Sequence, residues 1–129
     1  MKVIDSSALI KYITKEPGWQ EVERHIKEEC VTLDLAIKEA GNALVKKVTK
    51  GEVSVETAGE ILDYVHRIVR IIPQKEHLLK AFEVSIKYKI TFYDALFVAL
   101  SSNIGAPLIT SDEKQARVSK ENGVTTLII

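Results

Sequence analysis

The sequence predicts an α/β domain, a short central parallel sheet of about four to five strands with helices packed on both faces. Two observations carry that reading. Short apolar runs recur at K-V-I (2–4), V-T-L (31–33), P-L-I-T (107–110) and T-T-L-I-I (125–129), each of a length that suits a buried strand. The stretches between them carry apolar residues at helical spacing, so strands alternate with helices and must be joined by crossovers. With 129 residues and no repeat, low-complexity tract or linker, the chain reads as one domain, 1–129.

The elements follow in order. Residues 2–4 form the first strand, and Ser6 or Ser7 can cap a helix over A-L-I-K-Y-I. Pro17 stands at a favoured first-turn position for a second helix through about Glu28. After the strand at 31–33, a helix runs from about Leu35 to Lys50 and stops at Gly51, a natural residue for the left-handed turn beyond a helix. Ser54 caps the next helix. There Val55, Ala58, Leu62, Val65, Val69 and Ile72 recur at steps of three and four until Pro73 closes the stripe. A further helix carries Leu78, Leu79, Phe82 and Ile86, and another begins at Thr91 with F-Y-D-A-L-F-V-A-L, apolar nearly all round and therefore buried. That makes four consecutive helices between the second and third strands. The strand at 107–110, a helix over 112–122 and the strand at 125–129 complete the chain.

Composition removes several classes of function. Lys plus Arg equals Asp plus Glu at 18 each, so no whole-molecule attraction draws the protein to nucleic acid or an anionic membrane, and polyanion contact must be local. The single cysteine, Cys30, excludes an internal disulfide framework and a cysteine zinc site, and it suits a reducing cytoplasm. The N-terminus opens directly into a strand, with no signal-peptide pattern. No apolar run approaches the roughly 18 residues of a membrane span. His25, His66 and His77 lie apart in polar surroundings and read as surface residues. There is no H-x-x-x-H, G-x-S-x-G or glycine-rich phosphate loop.

Four carboxylates stand where the chain is expected to bury apolar surface: Asp5 in V-I-D-S-S, Glu39 in A-I-K-E-A, Asp94 in T-F-Y-D-A-L and Asp112 in I-T-S-D-E. Ionised groups in such places are costly unless compensated, and one hard cation held by oxygen ligands compensates several acids at once. Each acid also has a plain structural reading. Asp5 and Asp112 each follow a strand and precede a helix, which suits an N-cap, with Ser111 available to share the second. Asp94 stands three residues after Thr91, as in a capping box, although it lies in the most hydrophobic helix of the chain. Glu39 has Leu35, Ala36 and Ala43 as helical neighbours and reads either as an acid facing the sheet edge or as one that merely borders the core. The solvated Lys38, Lys46 and Lys47 are expected elsewhere on that helix. In an open α/β sheet ligands bind beyond the carboxyl ends of the strands, and convergence of four acids there is harder to assign to capping than any one alone.

V-I-D-S-S-A-L-I, E-A-G-N-A-L, T-F-Y-D-A-L-F-V-A-L and P-L-I-T-S-D-E-K, in that order and spacing, resemble the PIN domain, in particular the small VapC-type ribonuclease toxins. The resemblance runs from residue 2 to the C-terminus, and its last two blocks are the most specific. It implies a PIN-like three-layer α/β/α fold and a Mg²⁺- or Mn²⁺-dependent endoribonuclease. It also implies a homodimer and inhibition by a cognate antitoxin. Asp5, Glu39, Asp94 and Asp112 would be the metal-binding acids, with Glu39 acting through water or orienting the nucleophile, and Ser6 and Thr110 would support them. RNA contact then requires cations near that edge: Lys11 and Lys15, Lys46, Lys47 and Lys50, and Lys114 and Arg117, each of which is otherwise a solvated helix residue.

Three rivals make distinct demands. A non-catalytic module of the same fold, binding RNA or protein, does not need all four acids. A receiver domain needs paired acids after the first strand and a lysine ending a late strand; Asp34 mimics only its phosphoacceptor. A haloacid-dehalogenase-type phosphatase needs D-x-D where the chain reads D-S-S. Finally, the stripe of Val55, Ile61, Leu62, Val65, Ile68 and Val69, joined by Leu78, Leu79 and Phe82, is wide enough to serve as a dimer face or to be used up inside the domain.

Overall fold

In the computed structural model, which describes all 129 residues, five parallel strands form one sheet. The elements are β1 (Lys2–Ile4), α1 (Ser6–Ile13), α2 (Trp19–Lys27), β2 (Cys30–Leu33), α3 (Asp34–Thr49), α4 (Val55–Ile68), β3 (Arg70–Ile72), α5 (Leu78–Tyr88), α6 (Phe92–Ile104), β4 (Leu108–Thr110), α7 (Glu113–Glu121) and β5 (Thr126–Ile128). A short 3-10 turn over Lys75–His77 precedes α5. The sheet order is β3-β2-β1-β4-β5. β1 therefore lies centrally, with Val3 paired to Val31 on one side and to Leu108 on the other.

That order fixes the site. From β1 the chain moves outward through β2 to β3, then returns to place β4 on the opposite side of β1. Because such crossovers are right-handed, the change of direction puts the two helix sets on opposite faces. Helices α1 to α4 pack on one another, and α6 packs between α5 and α7. The strand order reverses between β1 and β4, and the crevice beyond the carboxyl ends of those two strands is where such sheets bind ligands.

The core contains 30 buried hydrophobic residues. Helix α6 contributes an unbroken buried run from Ala95 to Ser101, as its all-round apolar sequence requires. Gly51 has φ +75° just past the end of α3, the left-handed turn residue that position favours.

Several boundaries differ from the sequence reading. The stripe from Val55 does not stay helical to Ile72. Helix α4 ends at Ile68, Val69 turns extended at φ −129°, and Arg70–Ile72 pairs with Val31–Leu33 as an edge strand. Val69 and Ile72 fall on the helical period by coincidence; the β-branched run R-I-V-R-I-I is also a good strand, and the free edge of β2 decides between them. The four-helix block is thus interrupted by β3. Helix α1 is capped by Asp5 rather than by Ser6 or Ser7. Helix α2 starts at Trp19 behind Gly18, leaving Pro17 in the turn. His77 is buried against Asn103, with Nδ1 and Nδ2 2.8 Å apart, and His25 is half-buried beside Lys2; only His66 is exposed. Burial pushes the Cys30 thiol up to about 11, which keeps it protonated and inert.

Candidate active site

Asp5 is delivered by β1 to the reversal point of the sheet and is almost fully buried. Its Oδ1 accepts from the Ala8 backbone N–H at 3.1 Å and from Ser7 Oγ at 2.7 Å, and its Oδ2 accepts from Thr110 Oγ1 at 2.5 Å. Burial raises its pKa from 3.8 to about 6. The Ser7, Thr110 and Ala8 donors oppose that rise, and the nearby Asp112 charge adds to it.

β4 brings Asp112 to the same edge. Its Oδ1 caps α7 by accepting from the Gln115 N–H at 2.9 Å, and its own N–H donates to Thr110 Oγ1 at 3.0 Å. Thr110 therefore links the two acids. Ser7 makes a second link that sequence reasoning missed: the Ser111 N–H donates to Ser7 Oγ at 2.9 Å while Ser7 donates to Asp5. A hydroxyl in S-S gave no sign of a partner more than a hundred residues away.

Asp94 sits in the first turn of α6. Thr91 caps that helix, accepting from the Asp94 N–H at 3.1 Å. The capping box is thus half present, since the side chain of Asp94 makes no hydrogen bond of its own and is left to the cleft. Gln115, also missed, donates from Nε2 to the Asp94 carbonyl at 2.8 Å and ties the start of α6 to that of α7. Glu39 enters from α3, where Ser6 Oγ donates to its Oε1 at 2.6 Å.

All four acids line one cleft of about 240 Å³, completed by Ser6, Ser7, Gln115, Ile10 and Phe97. The expectation that all four are buried holds for Asp5 alone; Glu39, Asp94 and Asp112 are exposed. They stand on the first turns of helices, or on a helix flank, at the rim of the sheet, where a carboxylate keeps most of its water. No three Asp, Glu, His or Cys side chains converge closely enough to grip a bare ion. The capping readings of Asp5 and Asp112 are both correct, and neither conflicts with membership of the cleft, because a cap occupies only part of a carboxylate.

The cations named from sequence are scattered. Lys11 Nζ donates to the Ile129 carbonyl at 2.8 Å, Lys47 pairs with Glu52 at 3.1 Å, and Lys15 lies over the Trp19 ring. Lys50, Lys114 and Arg117 are exposed. Lys46 is not elsewhere on α3. It stands seven residues beyond Glu39, two turns on, and so on the same face.

The chain matches the PIN domain family model over residues 2–121. It is 32% identical over 119 residues to ribonuclease VapC3 of Pyrobaculum aerophilum, covering 88% of this chain and 91% of that protein. It is 30% identical over 128 residues to exonuclease VapC9 of the same organism, covering 98% and 92% respectively. Among solved structures, PAE2754 from Pyrobaculum aerophilum superposes with a TM-score of 0.76 at 28% identity, over 97% of this chain and 82% of that one. Family match, fold and the order of the acids agree: this chain belongs to the PIN domain family.

Proposed function

We propose that the chain is a divalent-metal-dependent endoribonuclease and the toxin of a toxin–antitoxin pair. The observation that carries this reading is the meeting of Asp5, Glu39, Asp94 and Asp112 in one cleft at the strand-order reversal, in a chain whose relative at 32% identity is a ribonuclease.

The donor set fits Mg²⁺ or Mn²⁺. It consists of oxygens alone, with no imidazole or thiolate, which suits a hard cation. Mg²⁺ keeps several of its waters when bound, so the carboxylates need not close on it tightly. Asp5, Asp94 and Asp112 would hold the hydrated ion, with Glu39 acting through water. Bound there, it would supply an activated water, neutralise charge on the phosphoryl oxygens and stabilise the leaving oxygen.

The chain's own residues do the positioning. Thr110 and Ser7 fix both oxygens of Asp5, and Thr110 also fixes the backbone of Asp112. Ser6 holds Glu39 over the cleft, where it can orient the attacking water. Gln115 sets the start of α6 against that of α7.

RNA is the substrate in this reading, and a cognate antitoxin and a second copy of the chain are the partners. For the dimer, the stripe on α4 is mostly used internally: Val65 and Val69 are buried, and Ile61, Leu62 and Ile68 are half-buried. The outer face of α5 is the better candidate, with Leu79 73%, Phe82 57% and Ile86 66% exposed. A cytoplasmic location suits the lone free cysteine. No helix is long and apolar enough to cross a membrane. The test is cleavage of a closed circular single-stranded RNA in Mg²⁺ or Mn²⁺ and in chelator. An endonuclease linearises the circle only with metal.

A further inference from the structure

A second depression of about 350 Å³ opens beside the acid cleft, lined by Ile10, Lys38, Glu39, Asn42, Ala43 and Lys46. It shares Ile10 and Glu39 with the acid cleft, so the two adjoin across those side chains. Helix α3 builds its wall: Asn42, Ala43 and Lys46 follow Glu39 at three, four and seven residues, along one face, and Lys38 flanks them. Lys38, Asn42 and Lys46 are all exposed.

Neither lysine is taken up by an anionic partner, unlike the three lysines of the chain that are ion-paired. Lys2 pairs with Glu28, Lys27 with Glu23 and Lys47 with Glu52, while Lys11 is held by a backbone carbonyl; neither Lys38 nor Lys46 lies within ion-pair distance of any carboxylate. Free ammonium groups along a groove are the groups that exchange counterions for phosphates. Eight residues of helix separate them by about 12 Å, enough for each to take its own phosphate. This depression itself has no aromatic lining residue, so nothing in it offers base stacking.

We propose that this depression is the backbone track of the substrate: single-stranded RNA lies along α3 with separate phosphates on Lys38 and Lys46, a polar contact from Asn42, and the scissile bond carried past Glu39 into the acid cleft. The proposal rests on the ribonuclease reading. It adds the side from which the strand enters and a mode of recognition, by phosphate charge and without sequence preference.

The experiment is fluorescence anisotropy of labelled oligouridine and of a mixed-sequence RNA on Asp94→Asn protein, with and without Lys38→Ala/Lys46→Ala. Loss of both lysines is expected to weaken binding about tenfold, equally for the two RNAs. The slope of log affinity against log salt should become shallower by roughly 1.4, about 0.7 for each phosphate no longer neutralised. Lys38→Arg/Lys46→Arg should retain binding. Lys75→Ala/Lys120→Ala, which removes the same charge from the 3-10 turn before α5 and the last turn of α7, should leave affinity within about twofold. In the otherwise unaltered chain, Lys38→Ala/Lys46→Ala should raise KM and leave kcat nearly unchanged.

Unchanged affinity and slope would overturn the track and leave the groove to a protein partner. Equal weakening by the control pair would overturn it in favour of net charge alone, and a fall in kcat at constant KM would overturn it in favour of an effect on the acids. None of these outcomes bears on whether the unaltered chain cuts RNA. The ribonuclease reading fails separately, if the unaltered chain does not cut RNA or Asp94→Asn still does.

Discussion

The acid cleft holds charge where the fold must tolerate it, whereas the outer face of α5 holds apolar side chains in water. Both are unfavourable for the isolated chain. The rise of Asp5 from 3.8 to about 6 corresponds to on the order of 3 kcal/mol, at about 1.4 kcal/mol per factor of ten. On α5, Leu79, Phe82 and Ile86 leave more than half of their surface uncovered, and full burial of such a side chain is worth about 1.5–3 kcal/mol. The difference lies in the chemistry that would relieve each region. In the proposed reading a small cation would relieve the cleft and an apolar protein surface the helix face, so the two should respond to different substitutions.

The largest effect should come from the cleft. Asp94→Asn is expected to lower RNA cleavage by on the order of a thousandfold and to leave thermal melting almost unchanged, since the side chain makes no hydrogen bond in the folded protein and an exposed substitution of this kind costs about 0.5 kcal/mol or less. Should activity survive, Asp94 is a first-turn helix residue and nothing more.

Asp5→Asn separates the two regions further by gaining stability while losing function. The folded carboxyl binds its proton more tightly than the unfolded one, so this group's contribution to stability is lost as pH rises from 3.8 through about 6. At pH 7 in chelator, Asp5→Asn should therefore be more stable than the natural sequence by up to about 3 kcal/mol. The gap should close as pH falls from 6 toward 4. Denaturant titration across that range checks it, and a gap that stays constant with pH would show that charge is not its cause. Millimolar Mn²⁺ at pH 7 should raise the melting temperature of the natural sequence and leave that of Asp5→Asn unmoved.

The α5 face should answer to Phe82→Glu. A charge at the centre of the proposed dimer face is expected to weaken association by about 2 kcal/mol or more, seen as a monomeric mass by light scattering against the dimeric mass expected of the natural chain at micromolar concentration. Loss of activity per site without dissociation would contradict the separation of the two regions. The smallest effect should be that of Ser6→Ala, which removes the 2.6 Å hydrogen bond to Glu39. Loss of an orienting contact of this kind costs about tenfold in activity, with little change in stability.

The two regions were also unequally legible in the sequence. A carboxylate inside T-F-Y-D-A-L-F or after V-I breaks an apolar pattern, and the strand and helix around it dictate where it must lie; that is why all four acids of the cleft could be named from their neighbours. How exposed each would be was not legible, because a helix turn at the sheet rim and one in the core have the same local sequence. Apolar stripes carry less information. Val55 to Ile72 and Leu78 to Ile86 look alike as patterns. Yet α4 turns Val65 inward and hands Arg70–Ile72 to the sheet, whereas α5 leaves Leu78, Leu79, Phe82 and Ile86 outside. Only the layer packing decides between those fates. Contacts through small polar groups were least legible of all. Ser7, Gln115 and the His77–Asn103 pair draw their partners from distant segments, and nothing in S-S, E-K-Q or K-E-H marks them.

Metal-dependent internal cleavage by the four acids is tested most directly by the fate of a closed circular single-stranded RNA, since a circle offers no end to an exonuclease. Linear product is expected with the natural chain in Mg²⁺ or Mn²⁺, and an intact circle both in chelator and with Asp94→Asn in metal. Linearisation in chelator or by Asp94→Asn would contradict the role of the four acids, and an intact circle beside linear RNA shortened from its ends would contradict internal cleavage.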